Sequence, residues 1–384
     1  MKIYVHPALR LLIEQASEQR PLANSCLVFV SLLYLKGAER RNFEEFSPLQ
    51  SRISAAIYTT RFYGPMVALL RELAAVEVKD GGRYYPGVVS KRYRLARSYR
   101  CGVIPGVLDC PKLETRLNRL MDRSSYKAMA GEARKWILSS YRGLGFNQAT
   151  TALLEDHPFK SEAARNCALH HTENIAAGRL RFKVCAGSGR VYYPVANLPK
   201  VIRAGLLIDG SAVAEIDLAA SQPTLLATLY AEPCPERDRY LSFVQGGRFY
   251  ETIAEWAGKP WTRDEAKAEF FNQIAFGSYY CASKYDLLVP FSQTFPLLAA
   301  KMADIKQGGN TALPLQMQRL EAAIAIDGAC GECARQGIKV LPVHDSLICK
   351  LADRASVEEI FARHWFQRTK IPAILKVQHP CAAR

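Results

Sequence analysis

Three short stretches of this chain carry residues whose types and spacing could serve one chemistry. "LPVHDSLICK" (residues 341–350) sets His344 and Asp345 between two apolar runs, the pattern of a tight hairpin of buried strands with an ionisable pair at its tip. A carboxylate on so rigid a platform can grip a metal if a second carboxylate meets it. "AVAEIDLAASQPTLLATLY" offers that partner. Its alternation reads as a strand ending at Asp217, followed by a helix that Ser221 and Pro223 would open as cap and first-turn residue. Two such carboxylates on one sheet could clamp two divalent cations for in-line phosphoryl transfer. One metal would activate a 3′-hydroxyl and the other would hold the leaving pyrophosphate.

The third stretch lies between them. "TRDEAKAEFFNQIAFGSYY" predicts a helix from an N-cap at Thr262 to Gly277. Arg263, Lys267 and Phe271 follow one another at intervals of four and so project from one helical face. Two cations and a ring on one stripe make a receptor for a nucleoside triphosphate, the charges on the phosphates and the ring against the base. As a plain surface helix, the same cations would pair with Asp264, Glu265 and Glu269 instead.

In this order, "EIDLAASQP", "RDEAKAEFFNQIAFG" and "PVHDS" resemble the three polymerase motifs of family A DNA polymerases and the related phage-type single-subunit RNA polymerases. "GSGRVYYPVANLPKVIR" is similar to that family's Gly-Arg segment upstream of the first motif, and "LPLQMQRLEAAIAIDGA" to its Pro-x-Gln helix. The resemblance covers about residues 187–350. It implies that Asp217 and Asp345 are the metal-binding carboxylates for two Mg²⁺ ions, or Mn²⁺ in their place. It implies that Arg263 and Lys267 hold the triphosphate, that Lys267 protonates the pyrophosphate, and that Phe271 stacks on the incoming nucleotide. Phe276 would be the aromatic of the aromatic–Gly pair, which stands here one residue later than in the family. Arg190, Gln316 and His344 would meet the duplex and the primer terminus. Gln222 occupies the position that in this family is Glu in the DNA enzymes and Gly in the RNA enzymes, and that governs tolerance of a ribose 2′-OH. Ser346 after the His-Asp pair leans towards the RNA enzymes.

The elements needed to position these residues set the fold expectation. It is an α+β chain with a right-hand palm built on an antiparallel sheet and with helical fingers, preceded by a mainly helical, winged-helix-like domain. With 384 residues there is room for two or three domains. The net charge of +15 favours a polyanionic partner such as nucleic acid. "CLVFVSLLYL" (residues 26–35) is too short to span a bilayer and reads as a core helix, so no membrane partner is expected. "GRYYP" and "KRYRLA" frame a basic hairpin whose Lys91, Arg92 and Arg94 suit phosphate contact. The Gly- and Pro-rich "CGVIPGVLDCPKL" reads as a domain boundary. The expected units are therefore 1–105 (basic, nucleic-acid-binding), 106–180 (helical connector, thumb-like) and 181–384 (palm and fingers).

The eleven cysteines have no framework spacing, and no signal peptide is expected, which points to reduced thiols in the cytoplasm. Cys330 and Cys333 read as a buried helix face rather than a metal site. The functional expectation is a template-directed nucleotidyltransferase, a compact DNA polymerase or primase-polymerase of a phage or mobile element. It would act on primer–template DNA and nucleoside triphosphates and could work beside other replication proteins. Two alternatives stand: an RNA polymerase or primase using NTPs, and a catalytically inactive winged-helix replication protein.

Overall fold

The computed structural model describes residues 1–48, 51–79, 91–277 and 286–378. Their apolar side chains form two cores. The amino-terminal core is built by β1 (Lys2–Val5), α1 (Pro7–Ala16), α2 (Arg20–Arg40), β2 (Ser47–Pro48), α3 (Ser51–Glu72), β3 (Val76–Val78), β4 (Arg92–Leu95) and β5 (Ile104–Val107). The apolar run of residues 26–35 lies within α2, which is apolar on all sides because core surrounds it. A kink at Thr59 (φ 65°) divides α3 in two. The small sheet has the order β2-β4-β3, so strands distant in sequence flank the last one.

Part of the expected boundary at residues 101–113 is structured. Ile104 to Val107 pair antiparallel with Val5 to Lys2. Pro105 and Gly106 are accommodated because a two-stranded ribbon leaves edge positions where no ladder donor is needed. Leu108, Cys110, Leu113 and Leu117 also belong to the amino-terminal core, which therefore reaches past residue 105.

The long basic segment after the boundary is two helices, α4 (Pro111–Ala128) and α5 (Glu132–Arg142). They are separated where Gly131 takes φ 96°, a conformation that favours glycine. Next come β6 (Leu144–Phe146), α6 (Thr150–Asp156), α7 (Glu162–Ala176), β7 (Lys183–Val184), β8 (Val191–Tyr192), α8 (Lys200–Arg203), β9 (Leu206–Ile208) and β10 (Ser211–Leu218). The helical block that follows contains α9 (Ser221–Leu226), α10 (Pro235–Gln245), α11 (Phe249–Ala257), α12 (Arg263–Glu269), α13 (Leu288–Thr294), α14 (Pro296–Gln307), α15 (Ala312–Ala322) and α16 (Gly331–Arg335). The chain closes with β11 (Val340–Val343), β12 (Ser346–Lys350), α17 (Arg354–Thr369) and β13 (Leu375–Gln378).

The main sheet is antiparallel, in the order β11-β12-β10-β9-β6, with β13 also pairing β10. Leu341, Leu347, Ile348 and Cys349 are fully buried, as expected for strands packed on both faces. Cys330, at the end of the helical run that joins α15 to α16, and Cys333, in α16, are fully buried too.

Candidate active site

The register of two strands builds the site. In β10 and β12, Asp217 lies opposite Ser346, and the β11–β12 hairpin pairs Val343 with Ser346. His344 and Asp345 are thus the two turn residues, next to Asp217. His344 adopts φ 55°, the left-handed twist that lets a two-residue hairpin close. The Leu218 amide donates to the Asp345 carbonyl at 3.2 Å, tying the hairpin tip to the end of β10. Tyr193 donates its hydroxyl to the Pro342 carbonyl at 2.9 Å and steadies the same hairpin.

β10 ends one residue past Asp217, at Leu218. The helix behind it starts at Ser221, but its cap differs from expectation. Ala220 occupies the cap position at φ 48°, and the buried Ser221 hydroxyl has no partner among the described residues. The strand must turn sharply to enter the helix, and this puts Ser221 inside the helix instead of at its cap.

Like charge marks the place. Burial and the neighbouring Asp217 push the Asp345 carboxyl up to about 6, against the lowering influence of Arg190 and Lys267. All three charges are therefore within electrostatic reach of Asp345. Asp217 also accepts from Lys200 at 3.2 Å. Lys267 is exposed and has no ion-pair or hydrogen-bond partner among the described residues. Arg263, four residues earlier, is held by Glu251 at 2.7 Å and lies 5.4 Å from the Tyr250 ring centroid, so its partner is none of the three carboxylates in its own helix. Of those three, Glu265 completes a capping box with Thr262.

Beyond α12 the helix changes character. Residues Phe270–Ala275 form a π-helical turn, with the Phe276 amide donating to the Phe271 carbonyl at 2.7 Å. A π-turn holds one residue more than an α-turn, and one residue is the displacement of the Phe276–Gly277 pair. Phe271 and Phe276 stand 5.2 Å apart and line a small cavity with Gln222, Leu226 and Met317. Lys306 holds the end of the turn: its buried ammonium donates to the Ile274 and Gly277 carbonyls at 2.7 Å each. Burial pushes that ammonium down to about 8.

Two buried carboxylates escaped the sequence reading. Glu321 of α15, 2% exposed, accepts from Arg190 through Nε at 2.9 Å and Nη2 at 2.6 Å. Its other oxygen accepts from the Gln222 amide at 3.5 Å. Burial raises the Glu321 carboxyl to about 7, with Arg190 opposing and Asp345 adding to the rise. Glu215, two residues before Asp217 on β10, is held by Arg203 at 3.0 and 2.7 Å and accepts from the Ser346 hydroxyl at 3.0 Å. A signal existed for both, since each is an acid set among apolar neighbours, where burial demands a partner.

His344 packs edge-on to Tyr192 at 5.8 Å. Its Nδ1 is buried without a partner among the described residues, and burial, with Arg190 and Arg203, pushes the imidazole down to about 4. Gln316 is exposed on α15. The structure thus gathers Asp217, Asp345, Lys267, Arg190 and His344 around the hairpin tip and sets Gln222, Phe271 and Phe276 around the adjoining cavity.

The amino-terminal hairpin lies partly at residues 80–90, outside the described residues. Arg92 is exposed and Lys91 half-buried. Arg94 departs from the expected phosphate contact: it is bonded to Glu77 and to Glu44 at 2.8 Å each, over the Phe46 ring. Elsewhere, Glu39, Cys167 and His171 place their donor atoms within 4.8 Å of one another between α2 and α7. Burial pushes the Cys167 thiol up to about 12 and the His171 imidazole down to about 4. Lys36, Arg40 and Lys183 surround Glu39, a setting that opposes a divalent cation.

Among solved structures, the chain is similar to a DNA polymerase domain. That structure is the POL domain of Pol1 from M. smegmatis, in complex with DNA primer-template and dNTP. It matches at a TM-score of 0.42 with 16% identity, over 68% of this chain and 63% of that one, so the chain spans less than two thirds of its length. No protein-family model and no curated protein matches the chain.

Proposed function

We propose that the protein is a template-directed nucleotidyltransferase, a compact DNA polymerase or primase-polymerase of a phage or mobile element. One observation carries this reading: the β11–β12 turn brings Asp345 beside Asp217 at the end of β10, and Lys267, unpartnered among the described residues, is close enough to stabilise the ionised Asp345. The donor set suits Mg²⁺ or Mn²⁺, because both are hard oxygen ligands and a cation between them would relieve the like charge that raises the Asp345 carboxyl. Bound between them, the ions would neutralise triphosphate charge and lower the pKa of the attacking 3′-hydroxyl.

The chain's own residues supply the remainder. Lys267 holds the triphosphate and can give its proton to the leaving pyrophosphate. Arg263 adds a second cation once Glu251 releases it. Phe271 and Phe276 present ring faces to the base, and His344, neutral at pH 7, meets the primer end beside Arg190. Incorporation of a labelled nucleotide opposite a defined template base tests this reading.

A second reading, that NTPs are used, is favoured by Gln222. The Gln222 NH₂ donates to Glu321 at 3.5 Å, leaving the amide carbonyl for a ligand. If that oxygen meets a ribose 2′-OH, Gln222→Ala weakens NTP use selectively, by about 1–3 kcal/mol in single-nucleotide kcat/KM. A gain in NTP use would show that the side chain excludes the hydroxyl, and equal effects on NTPs and dNTPs would remove it from the sugar altogether.

For the amino-terminal unit we propose a winged helix. Its order of helix, strand, kinked helix pair and two strands, with the sheet order β2-β4-β3, supports this reading. Replacing Lys91 and Arg92 with Ala should flatten the salt dependence of DNA binding by about 0.9 per cation. Arg94→Ala should lower the thermal midpoint and leave the slope unchanged, because Arg94 serves Glu44 and Glu77. A slope lost with Arg94 and kept without Lys91 and Arg92 would reverse the assignment.

A further inference from the structure

Helix α4 carries five cations that nothing in the described structure neutralises. Lys112, Arg116, Arg119, Arg123 and Lys127 succeed one another at steps of four, three, four and four residues. At 100° per residue they fall within an arc of about 80°, spread along about 22 Å of helix axis. None of the five makes an ion pair among the described residues, and Arg119, Arg123 and Lys127 are exposed without any hydrogen bond of their side chains.

The opposite side of α4 shows why the stripe is unpaired. Leu113 and Leu117 are buried in the amino-terminal core. The helix's acids are engaged elsewhere: Glu114, on the far side, is bonded to Arg179 at 2.5 Å, and Asp122, on the flank of the stripe, lies 3.7 Å from Arg181. Asn118 also accepts from Arg181. The acids that could have balanced the five cations are thus occupied by arginines from another segment. At the end of the stripe, Arg142 lies over the exposed Tyr126 ring at 5.5 Å, adding a sixth cation and a ring face.

We propose that this stripe is a track for a nucleic-acid phosphate backbone, separate from the candidate active site and from the amino-terminal hairpin. Successive cations stand about 4.5 or 6 Å apart along the axis, a linear array matched by a linear polyanion. A membrane surface fits less well. A helix lying on a bilayer needs an apolar face turned to the lipid, and the apolar side of α4 is buried in the protein. The proposal does not depend on the reading of the active site.

The test is a salt titration of binding by the full chain to a labelled DNA duplex and a labelled single strand. Anionic phosphatidylserine vesicles form a third arm. The variant R119A/R123A/K127A keeps good helix formers and removes no ion pair or side-chain hydrogen bond seen among the described residues. Its log–log slope should fall by about 2.7 on duplex or about 2.1 on a single strand. Between 50 and 200 mM salt, the wild type should then lose about 40-fold more duplex affinity than the variant. A control, R239A/K301A/R368A, removes three exposed cations elsewhere and should keep the wild-type slope. An unchanged slope in the stripe variant, or an equal fall in the control, would overturn the proposal. So would stripe-dependent binding to vesicles with no change on nucleic acid.

Discussion

Asp345→Asn is expected to lower nucleotide incorporation by at least about 100-fold, the loss that follows removal of one preorganised group at a reacting centre. It should not weaken the fold. Burial beside Asp217 raises the Asp345 carboxyl to about 6, above its unfolded value. Its protonated form is therefore favoured in the native state, and that contribution to stability is lost as pH rises through about 6. Asparagine never ionises. The variant should thus melt at or above the wild-type temperature at pH 8, with the difference vanishing below about pH 4. Asp217→Asn should abolish incorporation as well, and it should lower the Asp345 value by removing the like charge. A variant that keeps more than a few per cent of activity would remove its carboxylate from the reaction. One that melts well below wild type at pH 8 would make Asp345 a structural group.

The second large effect belongs to Glu321. Glu321→Ala leaves the Arg190 guanidinium, 12% exposed, without its partner, and breaking such a buried pair costs about 3–5 kcal/mol. Chemical denaturation should show that loss directly. Glu321→Gln keeps the volume and one acceptor, so it should fold. Its effect should appear in the kinetics: the link between Arg190 and Gln222 is cut, and the ratio of NTP to dNTP kcat/KM should move while the denaturation midpoint changes little. If the alanine variant is as stable as wild type, the Arg190–Glu321 pair contributes nothing net. If the glutamine variant leaves the nucleotide ratio unchanged, Glu321 does not act through Gln222.

How much of this was legible in the sequence depended on the range of the interactions. The hairpin at His344–Asp345 and the strand ending near Asp217 were readable because period-two alternation and a turn are local signals. Their adjacency is a matter of register, set by a pairing between residues more than a hundred apart, and no local pattern encodes it. The helix at Arg263 was readable from its N-cap and spacing, whereas the π-turn after it was not. That turn is held by Lys306, which arrives from α14 to satisfy two carbonyls. Arg94 read as a phosphate ligand because "KRYRLA" shows its charge and hides Glu44 and Glu77, which fold back onto it. The Gly- and Pro-rich segment near residue 105 read as a boundary because those residues punctuate chains. Its pairing with β1 at the amino terminus is again a long-range event. Glu215 and Glu321 were visible as acids among apolar neighbours, but their arginine partners lie in other elements.

The most direct measurement is single-nucleotide extension of a labelled primer by the wild-type protein with Mg²⁺, on four templates that differ only in the next base. Each dNTP and NTP is offered singly. The account predicts that each primer is extended by the nucleotide complementary to its template and that extension stops when Mg²⁺ is chelated. Addition that ignores the template base, or no addition of any nucleotide by folded protein that binds the primer–template, would contradict it.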